Sequence, residues 1–161
     1  MPPSGKPAGE ATRNISDICT ADTISCTRDE TVQAAALLMR KHHVGDLVVV
    51  DRVGDDAIPV GIITDRDIVV SVLALGLDPS SLLVSDIMTD DLLTCREDDD
   101  VYQTIEHMRL RGIRRVPVVT PSGSLAGIVS ADDLLEFLAE EMGDLSRISS
   151  SQQAHEKRAR H

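Results

Sequence analysis

The chain has 161 residues, 16 Lys and Arg against 27 Asp and Glu, a formal net charge of -11, and two aromatic residues, Tyr102 and Phe137. That balance argues against a general nucleic-acid binder, which needs many cations and stacking platforms. The 42% of hydrophobic residues, nearly all aliphatic, suffices to bury the core of one domain or of two small repeats sharing one.

Residues 1–14, rich in Pro, Gly and Ala, read as a disordered lead without the apolar stretch of a secretory signal, so a cytoplasmic location is the default expectation. The longest near-apolar run, residues 68–75, contains Ser71 and is far short of the ~20 residues that span a bilayer. No membrane association is expected.

Residues 15–50 align without gaps on residues 84–119 with 12 identities in 36 positions, where chance gives about two or three. Among them are Ser16/Ser85, Asp17/Asp86, Ile18/Ile87, Thr20/Thr89, Cys26/Cys95, Val32/Val101, Met39/Met108 and Arg40/Arg109. After a three-residue length difference, Gly61-Ile62-Ile63-Thr64-Asp65-Arg66-Asp67 falls on Gly127-Ile128-Val129-Ser130-Ala131-Asp132-Asp133. One unit is therefore used twice.

In chain order, each unit opens with a short extended run, residues 24–26 and 92–95, before an acidic cluster suited to a helix N-terminus. Helical spacing follows at Val32, Ala35, Ala36 and Met39, and at Val101, Ile105 and Met108. Strand-rich runs come next at residues 47–50 and 116–119, then at 59–63 and 125–129. Ile68, Val69, Val72 and Leu73, with Leu134, Leu135 and Leu138 in the second unit, predict a closing amphipathic helix. The order is β-α-β-β-α, twice, which gives an α/β fold of two tandem repeats, residues 15–76 and 84–143, packed as a pseudo-two-fold pair. Residues 77–83, with Pro79 and two serines, read as the linker, and residues 144–161 as a polar tail that either extends the last helix or frays.

The motif G-h-h-[ST]-x-x-D, where h is hydrophobic, ends the third strand of both halves. A strand delivering the chain to a helix N-terminus offers amide N-H groups and a dipole that favour an anion. Thr64 and Ser130 add a hydroxyl there, and Asp67 and Asp133, three residues on, can accept hydrogen bonds from a ribose diol. The alternative is that both pairs simply cap two helix starts.

Together with the repeat, S-D-I-[CM]-T and R-R-V-P-V-V, these motifs resemble the CBS-domain family over about residues 15–143. The resemblance implies clefts between the repeats that take adenosine-type ligands such as AMP, ADP, ATP or S-adenosylmethionine, modules that pair as homodimers, and a regulatory role on an unidentified protein. It places Thr64 and Asp67 opposite Leu93, Thr94, Ile113, Arg114 and Arg115 in a first cleft, and Ser130 and Asp133 opposite Ile24 and Asp46 in a second. Arg114 and Arg115 would neutralise a phosphate in the first, whereas Asp46, at the position matching Arg115, opposes one in the second. Val48 also departs from the family pattern that Pro117 keeps.

No P-loop, dinucleotide glycine fingerprint, H-E-x-x-H or G-x-S-x-G occurs, which disfavours an enzyme. His42 and His43 read as a solvated helix end, and Arg109, Arg111, Arg114 and Arg115 as an anion site or a salt-bridged face. Cys19, Cys26 and Cys95 cannot all pair within one chain and read as small core hydrophobes. Two competing classes remain: a dimerisation scaffold without ligand, and a redox- or metal-linked protein using the cysteines.

Overall fold

The computed structural model describes residues 13–160, so most of the lead assigned to residues 1–14 lies outside it. Arg13 and Asn14, at its end, are placed. Arg13 reaches Glu140 and Glu141 and lies over the Phe137 ring, and Asn14 bridges to Asp100.

The first unit comprises β1 (Ser25–Thr27), α1 (Val32–His42), β2 (Asp46–Val53), β3 (Asp56–Thr64) and the short α2 (Asp65–Ile68), which widens into a π-turn over Val69–Leu73. A single helical turn, α3 (Val84–Ile87), opens the second, followed by β4 (Cys95–Arg96), α4 (Val101–Arg111), β5 (Arg115–Val119), β6 (Leu125–Ser130) and α5 (Ala131–Ala159). Each unit forms a three-stranded sheet in sequence order, its first pair parallel and its second antiparallel. Even the bulge recurs, between Val49 and Val50 and between Val118 and Val119. The repeated β-α-β-β-α architecture is the one the periodicity predicts.

Local chemistry explains the helix ends. Thr31 and Asp100 cap α1 and α4 by accepting from the amides of Ala34 and Gln103 at 3.1 and 3.0 Å, as short polar N-caps do. Both helices close on a left-handed residue, Gly112 in the second and His43, with φ 55°, in the first. The amphipathic helix expected from Ile68 to Leu73 differs in its exposed positions. The i to i+5 bonds from Ala74 N to Val69 O and from Leu77 N to Val72 O change the helical period there. Val72 is buried, while Val69 and Leu73 face outward.

The boundaries of the repeats in sequence are not those of the cores. Ile15, in the lead of the first unit, is fully buried in the core built from Val101, Met108, Val116, Val118, Val129, Leu134 and Phe137. Val84, in the lead of the second, is buried with Cys26, Ala35, Met39, Leu47, Val49 and Ile63. Each lead also adds a rung to the far sheet: Thr20 exchanges two backbone bonds with Ile128, and Thr89 two with Ile62. Gly61 and Gly127 permit that approach. A Cβ at Gly61 would stand 2.7 Å from the Thr89 carbonyl oxygen, and one at Gly127 2.6 Å from that of Thr20. The glycine of the repeated motif therefore serves the exchange of leads.

The linker is held. The amides of Val32 and Gln33 donate to the carbonyls of Leu82 and Pro79, and Val84 N donates to Glu30 O.

Candidate functional site

Two clefts open where the sheets meet. The first, about 230 Å³, is lined by Ile62, Thr64, Thr89, Asp91, Leu92, Leu93, Ile113, Arg114 and Arg115. Thr20, Asp22, Thr23, Ile24, Val44, Asp46, Arg115, Ile128, Ser130 and Asp133 line the second, about 180 Å³. Nearly every wall residue of one has its repeat counterpart in the other, so the duplication built both.

Of the residues predicted for the first cleft, the structure brings together Thr64, Leu93, Ile113, Arg114 and Arg115. Asp67 and Thr94 are not on its wall. Asp67 is turned into a capping box: its Oδ2 accepts from Thr64 N at 2.9 Å, and its own amide donates to Thr64 Oγ1 at 3.1 Å. Thr94 precedes Cys95, whose side chain points into the core, and alternation along the extended chain turns Thr94 to the exposed side. In the second cleft Ile24, Asp46, Ser130 and Asp133 are all on the wall. Here too the pair forms a capping box, with Ser130 N to Asp133 Oδ2 at 2.8 Å and Asp133 N to Ser130 Oγ at 3.1 Å.

These caps correct the picture of open helix N-termini. In the first unit the amides of Asp65, Arg66 and Asp67 donate to Gly45 O, Asp65 Oδ1 and Thr64 Oγ1. None of the three is left for an anion. An anion in the first cleft must rely on side chains, chiefly the guanidinium groups.

Those groups are not equivalent. Arg115 Nε forms an ion pair with Asp46 Oδ1 at 2.9 Å, and the Asp46 side chain is only 17% exposed. Arg115 therefore belongs to both clefts. Asp46 is not an unopposed negative charge in the second, which corrects the expectation that it simply repels a phosphate there. Burial pushes its carboxyl above the usual range, Arg115 pulls it back, and Asp65 adds to the rise. Arg114 is the freer cation, exposed and only 3.7 Å from an equally exposed Asp132. Arg111 is held on Asp91 at 2.8 Å. Arg111, Arg114 and Arg115 are thus spread over separate acidic partners.

Sequence reasoning missed Thr20/Thr89 and Asp22/Asp91 as wall residues. Their signal was their identity at matching repeat positions, but only the lead exchange shows that these positions face a cleft. Among the described residues no group of three His, Cys, Asp or Glu side chains is placed to hold a metal ion. No described helix is long and apolar enough to cross a membrane.

The profile of the CBS domain matches residues 15–74 and 84–140. Uncharacterized protein MK0525 of Methanopyrus kandleri is 35% identical over 123 residues, 76% of this chain and 61% of that protein, so the chain spans less than two thirds of that relative. Hypoxic response protein 1 of Mycobacterium tuberculosis is 35% identical over 124 residues, 77% of this chain and 84% of its own. Among solved structures, Hypoxic Response Protein I with two coordinated zinc ions superposes with a TM-score of 0.66 at 31% identity, over 77% of this chain and 98% of that one. The CBS domain pair of MJ0100, in complex with 5'-methylthioadenosine and S-adenosyl-L-methionine, gives 0.69 at 28% identity, over 81% and 98%. With two matched domains, two equivalent sheets and two clefts between them, the chain belongs to the CBS-domain family as a tandem pair.

Proposed function

We propose that the chain is a regulatory module, not an enzyme, that binds an adenosine-type ligand at the junction of its repeats. The observation that carries this reading is the first cleft. An apolar wall of Ile62, Leu92, Leu93 and Ile113 suits a purine, and Thr64, Arg114 and Arg115 on the same cleft suit the polar and anionic parts of a nucleotide. A few convergent polar groups on an apolar cleft are the usual form of a small-ligand site. The complex of the MJ0100 pair with two adenosine compounds supports the same class of ligand.

The second cleft carries Asp22, Asp46 and Asp133 against one shared arginine. It suits an uncharged or cationic adenosine compound, such as S-adenosylmethionine, better than a nucleotide. Occupancy would be passed on through a homodimer, since Leu37, Val69, Val70, Leu73 and Leu135 leave apolar surface open on the helices. The regulated protein would read that change of shape or contact.

A thermal-shift series with AMP, ADP, ATP, S-adenosylmethionine and adenosine tests the proposal. A ligand at about 100 times its Kd stabilises by about 2.7 kcal/mol, roughly 5–10 °C for a chain of this size. Arg114→Ala should remove the preference for AMP over adenosine. A flat series favours the scaffold reading and overturns this one.

A further inference from the structure

The two clefts share one cation. Arg115 is on the wall of both, and among the described residues it is the only basic side chain on the wall of the second. The first also has Arg114, whereas the repeat counterpart of Arg114 is Gly45. Against Arg115 the second cleft sets Asp22, Asp46 and Asp133. Asp133 already accepts from Ser130 N in its capping box, so Arg115 is held chiefly by the largely buried Asp46, 2.9 Å away.

That contact sets up a competition of definite sign. A phosphate in the first cleft draws on the Arg115 guanidinium, whether it turns the group or only shares its charge, and Asp46 loses what the guanidinium supplied. Burial and the neighbouring Asp65 both disfavour the Asp46 carboxylate, and Arg115 offsets them. A buried carboxylate deprived of its partner is costly, so the second cleft then gains by taking up a cation. The converse follows from linkage: a cation beside Asp46 releases Arg115 to the first cleft. Two anions, by contrast, would divide one guanidinium between them.

We infer that Arg115 and Asp46 couple the two clefts, so that an anionic adenosine ligand in the first and a cationic one in the second raise each other's affinity, while two anionic ligands weaken each other. The two states are Arg115 held by Asp46 and Arg115 given to the ligand of the first cleft, and each ligand biases that equilibrium through a group on its own wall. The module then responds to a combination of ligands, a nucleotide together with a sulfonium compound, and not to either alone. This rests on the ligand class proposed above and adds the dependence of one cleft on the other.

Calorimetric titration of the full chain with AMP, S-adenosylmethionine and adenosine tests the coupling. Saturating S-adenosylmethionine should tighten AMP by about fivefold or more, and AMP should tighten S-adenosylmethionine by the same factor. Adenosine, which lacks the phosphate, should leave S-adenosylmethionine unchanged. Asp46→Asn should tighten AMP on its own, because Arg115 is no longer held, and should abolish the effect of S-adenosylmethionine on AMP; a merely structural loss would weaken AMP instead. Should that variant not fold, the parent chain decides alone, since adenosine isolates the phosphate. Failure of all three compounds to bind overturns the proposed function and this inference with it. Binding of only one of AMP and S-adenosylmethionine, independent binding, mutual displacement, two AMP of equal affinity per chain, or coupling that persists with adenosine or in Asp46→Asn overturns this inference alone and leaves the ligand class standing.

Discussion

Arg115 and Asp46 occupy one repeat position in opposite charge, and the fold brings them together at 2.9 Å. Their contact makes the protonation of Asp46 a reporter of the junction. Burial raises the folded carboxyl above its ordinary 3.8 while Arg115 holds it down. Between the unfolded and the raised folded pKa the native state binds more protons, so this group's contribution to stability falls as pH rises through that window. Arg115→Ala removes the lowering influence and widens the window upward. Denaturant melts should therefore show Arg115→Ala more destabilising at pH 7 than at pH 3, whereas Asp46→Asn with Arg115→Ala should lose that difference. The cysteines give a second prediction. Burial pushes the thiols of Cys26 and Cys95 up to about 12, and thiolate is the reactive form. In the native chain half-buried Cys19 should react first with a thiol reagent, and the other two only on unfolding. Rapid labelling of all three would contradict the packing.

At the level of elements, α1 and α4 are the same helix ended in two ways. Gly112 takes the left-handed cap without strain, while His43 takes it at φ 55° with a Cβ, at a cost of roughly 1 kcal/mol. His43→Gly should raise the melting temperature by roughly 2–4 °C; no gain would mean that the exposed imidazole contributes a compensating contact. The strands and these helices were legible in the sequence because burial imposes a period on each, and duplication showed every period twice. What the site needed was less legible. Asp67 and Thr64 fit both a cap and a ligand by spacing, and the occupied amides of Asp65, Arg66 and Asp67 show the cap, which spacing alone did not. For residues 144–159 the sequence left helix and frayed end both open, since Leu145 and Ile148 are their only large apolar residues and too few to fix a period.

At the level of the whole molecule, the exchange of leads escaped the sequence because it joins segments whose local patterns are complete without it. Its energetic consequence is direct. Ile15 belongs to the first repeat in sequence and to the second in packing, and Val84 the reverse, so neither core is complete without the other half of the chain. The two repeats should then unfold in one transition. Ile15→Ala removes a fully buried side chain and should cost about 2–5 kcal/mol. Gly127→Ala, driven against the Thr20 carbonyl, should cost about 1–3 kcal/mol, as overpacking does. Amide exchange locates the damage. Sub-global opening in Ile15→Ala should first deprotect β5, β6 and α4, far along the chain from the substitution, and Val84→Ala should first deprotect α1 and β2. Protection lost only around residues 13–30 in Ile15→Ala would show that each lead serves its own repeat. Because the same leads carry Thr20 and Thr89 to the cleft walls, either substitution should also weaken ligand binding without touching Arg114 or Arg115.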